Sequence, residues 1–210
     1  MDQTSEIILK LVMIAIFLLI AFPVHEFAHA AAAYARGDAT AKMFGRMTLN
    51  PIVHFDRIGG LMTAISIFLG GFLFGWAKPT PINPSNFRDR RNDEVLVALA
   101  GPFANLVMAA LGAIVIRIVI ALGIGLPVFV QNVLLYFVLF NVILMVFNLI
   151  PVPPLDGSTL LFRFLSPRRA WELRPVLAQY GIFIILGVVL LAGQFLYGIF
   201  IGITRFLVGA

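Results

Sequence analysis

Four long apolar runs constrain this chain more than any other feature. They lie at roughly 7–33, 95–122, 128–150 and 178–204. A helix needs about 20 mostly apolar residues to cross the hydrocarbon core of a bilayer, and each run meets or approaches that length. The 210 residues, 61% of them hydrophobic, leave too little polar surface to enclose a water-soluble core. The sequence therefore predicts an all-α membrane protein, a polytopic bundle of about four crossing helices, with residues 1–210 forming one domain.

A fifth apolar segment, 61–76, is only marginally long enough to cross. Glycines bracket or interrupt it at positions 59, 60, 70, 71 and 75. Non-helical backbone at membrane depth is tolerated where protein shields it. We therefore predict a re-entrant or short hydrophobic segment here and no fifth crossing.

The basic residues indicate how the chain is oriented. The net charge of +5 comes from Lys and Arg between the apolar runs, so no basic face points to a nucleic acid partner. If 61–76 does not cross, the two intervals richest in these residues, 36–94 and 151–175, fall on one side. Because an excess of Lys and Arg marks cytoplasmic loops, we expect both on the cytoplasmic side of a prokaryotic cell membrane.

A metal-binding pattern follows the first apolar run. In His25-Glu26-Phe27-Ala28-His29 the two imidazoles are four residues apart and share one face of a helix. That spacing suits a shared zinc ion, and Glu26 is placed to take a proton from water on the metal. An ordinary polar helix end is the competing interpretation, but it has no reason to select this spacing. The chain has no cysteine, so nitrogen and oxygen must bind any metal.

Two histidines leave a catalytic zinc ion one protein ligand short. Asp156 is the candidate, since it ends the proline-rich break Asn148-Leu149-Ile150-Pro151-Val152-Pro153-Pro154-Leu155-Asp156-Gly157. If 61–76 does not cross, this break lies on the same side as the histidines. Metal binding and charge bias therefore require the same topology.

The motifs HEFAHA and NLIPVPPLDG together resemble the site-2 protease family of intramembrane metalloproteases, in a compact form without a PDZ module. Segments 45–51, 74–79 and 100–105 also resemble family sequence. The resemblance implies that His25, His29 and Asp156 bind Zn²⁺ and that Glu26 is the general base. It also implies that Asn148 binds the substrate backbone or polarises the scissile carbonyl.

Four polar residues have open interpretations. Asn148 and Asn141 are seven residues apart and share a helical face, but hydrogen bonding between helices would also explain them. His54 could steady the tetrahedral intermediate or orient a ligand, although a lone loop histidine is more often structural. Asn105 lies beside a stripe of small residues, which predicts a packing role.

The expected activity is hydrolysis of peptide bonds in membrane-spanning substrates, within or near the bilayer. The expected partners are the lipid bilayer and single-pass membrane proteins or signal-peptide-like segments, and the oligomeric state is unknown. The glycine-rich segment 59–76 could offer a strand edge to an unwound substrate. One alternative is a transporter that carries a metal or protons, although no repeated halves are visible. The other is a catalytically silent membrane scaffold.

Overall fold

The computed structural model describes residues 3–69 and 78–209, and most of these are helical. This confirms the all-α prediction. We number the helices of the described residues in chain order: α1 Gln3–Ala35, α2 Thr40–Met43, α3 Pro51–His54, α4 Arg57–Phe68, α5 Arg90–Ala121, α6 Val128–Asn148, α7 Gly157–Phe164 and α8 Pro167–Val208.

Four of these helices, α1, α5, α6 and α8, are long and apolar enough to cross a membrane. They match the four predicted runs. The main difference concerns α8, which begins at Pro167 instead of 178, so the predicted loop 151–175 ends about nine residues early. The polar first turns of α8 escape a hydropathy argument because a 42-residue helix is about 63 Å long, twice the thickness of the hydrocarbon core. Ser166 caps this start by accepting a hydrogen bond from the Arg169 N–H.

Helix α1 contains an irregular turn just before the predicted metal-binding residues. Residues Phe17–Ala21 form one turn of π-helix, called the π-turn below, and the α-helix resumes at Phe22. Pro23 follows at once, and its ring nitrogen cannot donate a backbone hydrogen bond. Such π-turns are rare and are frequently found at functional sites. His25 and His29 lie on the regular helix that follows this turn.

Helix α4 lies alongside α1, and the described residues that precede and follow the segment 55–77 contact each other. At the far end of α4, the Lys10 ammonium donates to the Phe68 carbonyl (3.4 Å). The chain enters α4 just after His54, and the Lys78 N–H donates to the His54 carbonyl (2.9 Å). With 12 residues, α4 is too short to cross, in agreement with the predicted short hydrophobic segment. Residues 70–77, which carry part of the strand-edge hypothesis, lie outside the described residues.

Helix α5 packs against α1, α6 and α8 and is the central helix of the bundle. Its contact with α6 is close because Gly112 has no side chain to separate it from Phe137 and Val138. A core of Ala109, Ala113, Val138, Val142 and Phe200 fills the space between these helices and α8.

Polar contacts gather several helix ends at one end of the bundle. The Arg36 guanidinium, just after α1, lies 3.6 Å from the Asp93 carboxylate at the start of α5. The Arg91 side chain in the same turn of α5 donates to the Arg163 carbonyl of α7 (3.2 Å). The end of α1, the start of α5 and the segment following α6 therefore meet, as the predicted metal site requires.

Candidate metal centre

The structure brings His25, His29 and Asp156 together. Their ligand atoms all lie within 4.8 Å of one another. The two Nε2 atoms are 3.0 Å apart, and the Asp156 Oδ2 lies 3.2 Å from that of His25 and 3.3 Å from that of His29. Both histidines are buried in the bundle, on one face of α1. Three donor atoms from two distant parts of the sequence thus converge on one point.

Hydrogen bonds at the opposite ring nitrogens orient both imidazoles. The Nδ1 of His25 donates to the Asn105 side-chain oxygen (2.6 Å), and the Nδ1 of His29 donates to the Val97 carbonyl (2.7 Å). Both partners are acceptors, so the proton of each neutral ring is on Nδ1. The Nε2 lone pairs are therefore free to bind a metal.

The separations of these atoms fit zinc. Ligand bonds of about 2.0–2.1 Å at a tetrahedral ion place the ligand atoms about 3.3–3.4 Å apart. The observed 3.0–3.3 Å are close to that value. The Asp156 Oδ2 is buried and accepts no hydrogen bond from the described residues. Three lone pairs directed at each other repel, and a cation between them removes that repulsion.

Gly101 of α5 leaves room for this cluster. A Cβ at this position would lie 2.6 Å from the His25 Nε2 and would also meet the His29 Nε2. Any larger residue would therefore push α5 away from the two imidazoles. Gly101 and Asn105 both belong to segment 100–105, which resembles family sequence, and the sequence predicted a packing role for Asn105.

Asn105 does more than fill a packing position. It is fully buried, and its amide nitrogen donates to the Ala21 carbonyl (3.2 Å) and to the Asn141 side-chain oxygen (2.9 Å). These two bonds fix which end of the amide faces His25. The packing interpretation of Asn105 is thus incomplete, and its spacing in the sequence gives no sign of this contact, which joins residues 80 positions apart.

Two glycines let the proline-rich break carry Asp156 to the histidines. A Cβ on Gly157 would meet the Leu149 carbonyl, and one on Gly181 of α8 would meet the Pro153 carbonyl. The break is therefore folded tightly on itself and pressed against α8. Burial raises the pKa of Asp156, but the two adjacent histidines outweigh burial and lower it to about 2. The carboxylate is thus ionised, as a metal ligand must be.

Glu26 directly follows His25 in the sequence, and the loop before α5 binds its carboxylate. The Thr80 N–H donates to the Glu26 Oε2 (2.8 Å). Both residues line a cavity of about 620 Å³ that is also lined by His25, His29 and Asp156. Its wall includes apolar and charged side chains: Phe17, Phe22, Ile143, Leu144 and Phe147, and Arg90, Glu94 and Arg174.

The remaining predicted residues lie in different places. Asn148 lines the same cavity, and its amide nitrogen donates to the Leu144 carbonyl of its own helix (3.0 Å). Asn141 is fully buried and bonds to Asn105, so Asn141 and Asn148 do not share an environment. His54 is also buried, but its Nε2 contacts the Thr48 carbonyl (2.8 Å) and it is not among the residues that line the cavity. Its catalytic role stays a prediction.

Comparison with known proteins places the chain in a family. The family model for peptidase family M50 matches residues 13–124 and 118–192. The chain belongs to peptidase family M50, the site-2 protease family. It is 40% identical to "Putative zinc metalloprotease YwhC" of Bacillus subtilis (strain 168) over 158 residues, which is 73% of this chain and 69% of that protein.

Two mycobacterial relatives are also described as putative zinc metalloproteases. The chain is 31% identical over 175 residues to "Putative zinc metalloprotease Rip2" of Mycolicibacterium smegmatis, covering 80% of this chain and 62% of that protein. It is 29% identical over 212 residues to the Rip2 protein of Mycobacterium tuberculosis (strain H37Rv), covering 93% and 73%. No solved structure gives a significant match. This M50 member is thus an intramembrane zinc metalloprotease, as predicted, and the transporter alternative loses its support.

Proposed function

We propose that this M50 protease hydrolyses peptide bonds of membrane-spanning substrates at the end of the bundle where α1 ends and α5 begins. His25, His29 and Asp156 hold the zinc ion, and Glu26 is the general base. One observation carries this proposal: the three ligand atoms converge in a cavity that Glu26 also lines and that is large enough for an unwound peptide segment.

The chemistry divides between the metal and the chain. Bound zinc supplies a Lewis acid that polarises the scissile carbonyl and makes water more acidic. The Glu26 carboxylate takes a proton from the attacking water and returns it to the nitrogen of the leaving amine. Asn105 and the Val97 carbonyl keep the imidazoles of His25 and His29 in the orientation that binds the metal.

The cavity suits a substrate that passes from lipid into a polar environment. One part of its wall is aromatic, with Phe17, Phe22 and Phe147, and another carries Arg90 and Arg174. A transmembrane helix keeps its carbonyls in internal hydrogen bonds and must unwind before water can attack. We therefore expect single-pass proteins or signal-peptide-like segments with Gly, Pro or Asn in the span to be cut most readily. The Asn148 side chain would bind the exposed peptide backbone.

The same end of the bundle is the proposed cytoplasmic end. Arg36, Arg90 and Arg91 meet there with Arg163 and Arg174. An excess of basic residues is typical of cytoplasmic loops in a prokaryotic cell membrane. We therefore propose that cleavage occurs near the cytoplasmic face, where a path for water is short.

The test measures zinc content and cleavage of a single-pass substrate in detergent for the wild type, Glu26→Gln and Asp156→Ala. We expect the wild type to bind about one zinc ion and to cut, in keeping with the single tetrahedral site. Glu26→Gln should keep zinc without cutting, and Asp156→Ala should lose both. Cleavage by Glu26→Gln would remove its role as base. A wild type that binds zinc but cuts no substrate would favour the silent scaffold.

A further inference from the structure

Glu26 is bonded twice to a residue that is 54 positions away in the sequence. Its Oε2 accepts the Thr80 N–H at 2.8 Å, and its backbone carbonyl accepts the Thr80 hydroxyl at 3.2 Å. Both residues are buried. A backbone N–H directed at a carboxylate is a charge-assisted hydrogen bond, stronger than a bond between neutral groups. The amide also cannot rotate away as a side-chain donor can.

The segment that carries Thr80 is itself fixed to the end of α1 by a buried carboxylate. The Asp38 Oδ2 accepts the Asn83 N–H (2.8 Å), and its Oδ1 accepts the Asn86 side-chain amide (2.8 Å) and the Thr40 N–H (3.0 Å). Asp38 is completely buried. Burial raises the pKa of Asp38, but the hydrogen bonds from Thr40, Asn83 and Asn86 outweigh burial and lower it. The two oxygens of an ionised carboxylate therefore hold the chain three and six residues after Thr80.

The sequence of this segment adds stiffness. Prolines at positions 79, 81 and 84 fix their own φ angles, and each restricts the residue before it to extended conformations. Thr80 lies between two of them. A segment of this kind loses little conformational entropy when it is held in place. It is thus suited to hold a donor at a fixed position beside α1.

We propose that Thr80 and Asp38 are positioning residues for the general base. The Thr80 N–H binds one oxygen of the Glu26 carboxylate, so that the other oxygen is directed at water, and Asp38 keeps Thr80 in register with α1. This inference rests on the proposed role of Glu26. It separates two tasks in the site: Asn105 and Val97 orient the metal ligands, whereas the Asp38 and Thr80 pair orients the base.

Replacing Thr80 by proline removes the N–H, and replacing it by valine keeps the N–H but removes the hydroxyl. A misplaced base loses interactions made in the transition state, so kcat should fall while KM stays the same. We expect Thr80→Pro to lower kcat about 10- to 100-fold, the loss that small misplacements in an active site cause. Thr80→Val should lose clearly less. Zinc content should equal that of the wild type in both variants.

Asp38→Asn provides a second variant if Thr80→Pro fails to fold. It keeps the size of the side chain but presents an amide NH₂ where a carboxylate oxygen accepted a hydrogen bond. We expect kcat to fall, with KM and zinc content preserved. A purely structural role for Asp38 would instead reduce zinc content along with kcat.

The outcomes distinguish this inference from the proposed function. If Glu26→Gln is inactive but Thr80→Pro and Asp38→Asn keep the kcat of the wild type, the inference alone is wrong. A rise in KM at constant kcat would also overturn it, since that result would make the segment a substrate contact. If Glu26→Gln still cuts, the assignment of the base itself fails, whatever the other variants do.

Discussion

Replacing Gly101 by alanine would test whether α5 is shaped to receive the metal centre. The added Cβ would lie 2.6 Å from the His25 Nε2 and would also meet the His29 Nε2, whereas ordinary contact begins near 3.4 Å. Either the rings or the helix must therefore move by about 0.8 Å, several times the tolerance of about 0.2 Å for a zinc ligand bond. Alanine is otherwise the better helix former, by about 0.8–1.0 kcal/mol.

Helix propensity affects thermal stability, whereas displacement of the two rings affects zinc binding, so zinc affinity is the diagnostic quantity. Changes to groups that only support a ligand weaken metal binding by about 10–100-fold. Direct displacement of two ligands should reach at least the upper value, about 2.7 kcal/mol of binding free energy. The zinc-free protein should also lose thermal stability, because the added Cβ meets the same two rings without the metal, and the better helix propensity of alanine offsets only part of that loss.

The assay is zinc affinity, measured by competition with a chelator in detergent, together with thermal unfolding of the zinc-free form. Gly112→Ala is the matched control on the same helix, since its Cβ would lie 2.8 Å from the Phe137 ring, away from the metal. We expect that control to lose thermal stability and to keep its zinc affinity. Wild-type zinc affinity in Gly101→Ala would refute the proposed fit between α5 and the metal centre.

Three other predictions address the proline-rich break that carries Asp156, the topology and acid stability. Gly181→Ala should lower zinc affinity because its Cβ would push against the Pro153 carbonyl in this break. Gly187→Ala is the control, since the space around that position is open, and it should keep its zinc affinity. Metal analysis of both purified variants tests this prediction. Because the natural chain has no cysteine, single cysteines at Ser85 and Gly125 can be labelled selectively. A membrane-impermeant thiol reagent should reach the first only from the cytoplasm and the second only from outside, and labelling of both from one side would contradict the topology. The pKa of Asp38 is lower in the folded protein, so its contribution to stability is present above about pH 4 and is lost as the pH falls through its folded pKa. The free energy of unfolding of Asp38→Asn should therefore converge on that of the wild type only in strong acid, as measured by denaturant unfolding across pH.

The crossing helices could be predicted from the sequence because the bilayer imposes a length and a composition on each of them. The start of α8 could not be predicted in this way. Its first turns contain the charged residues Arg168, Arg169 and Glu172, so a search for apolar runs does not detect them. The π-turn at 17–21 was missed for a related reason, since its residues are as apolar as those of any α-helical turn.

The convergence of His25, His29 and Asp156 could be predicted because metal-ligand chemistry is restricted to a few residue types at fixed spacing. The residues that support them are under no such restriction. A neutral amide, a carbonyl or a backbone N–H can orient an imidazole or a carboxylate equally well, and Asn105, Val97 and Thr80 do so from 54 to 80 positions away. Such partners are selected by where the fold brings the backbone. The type of residue at Thr80 matters less than its N–H, so no motif in one sequence could have revealed it.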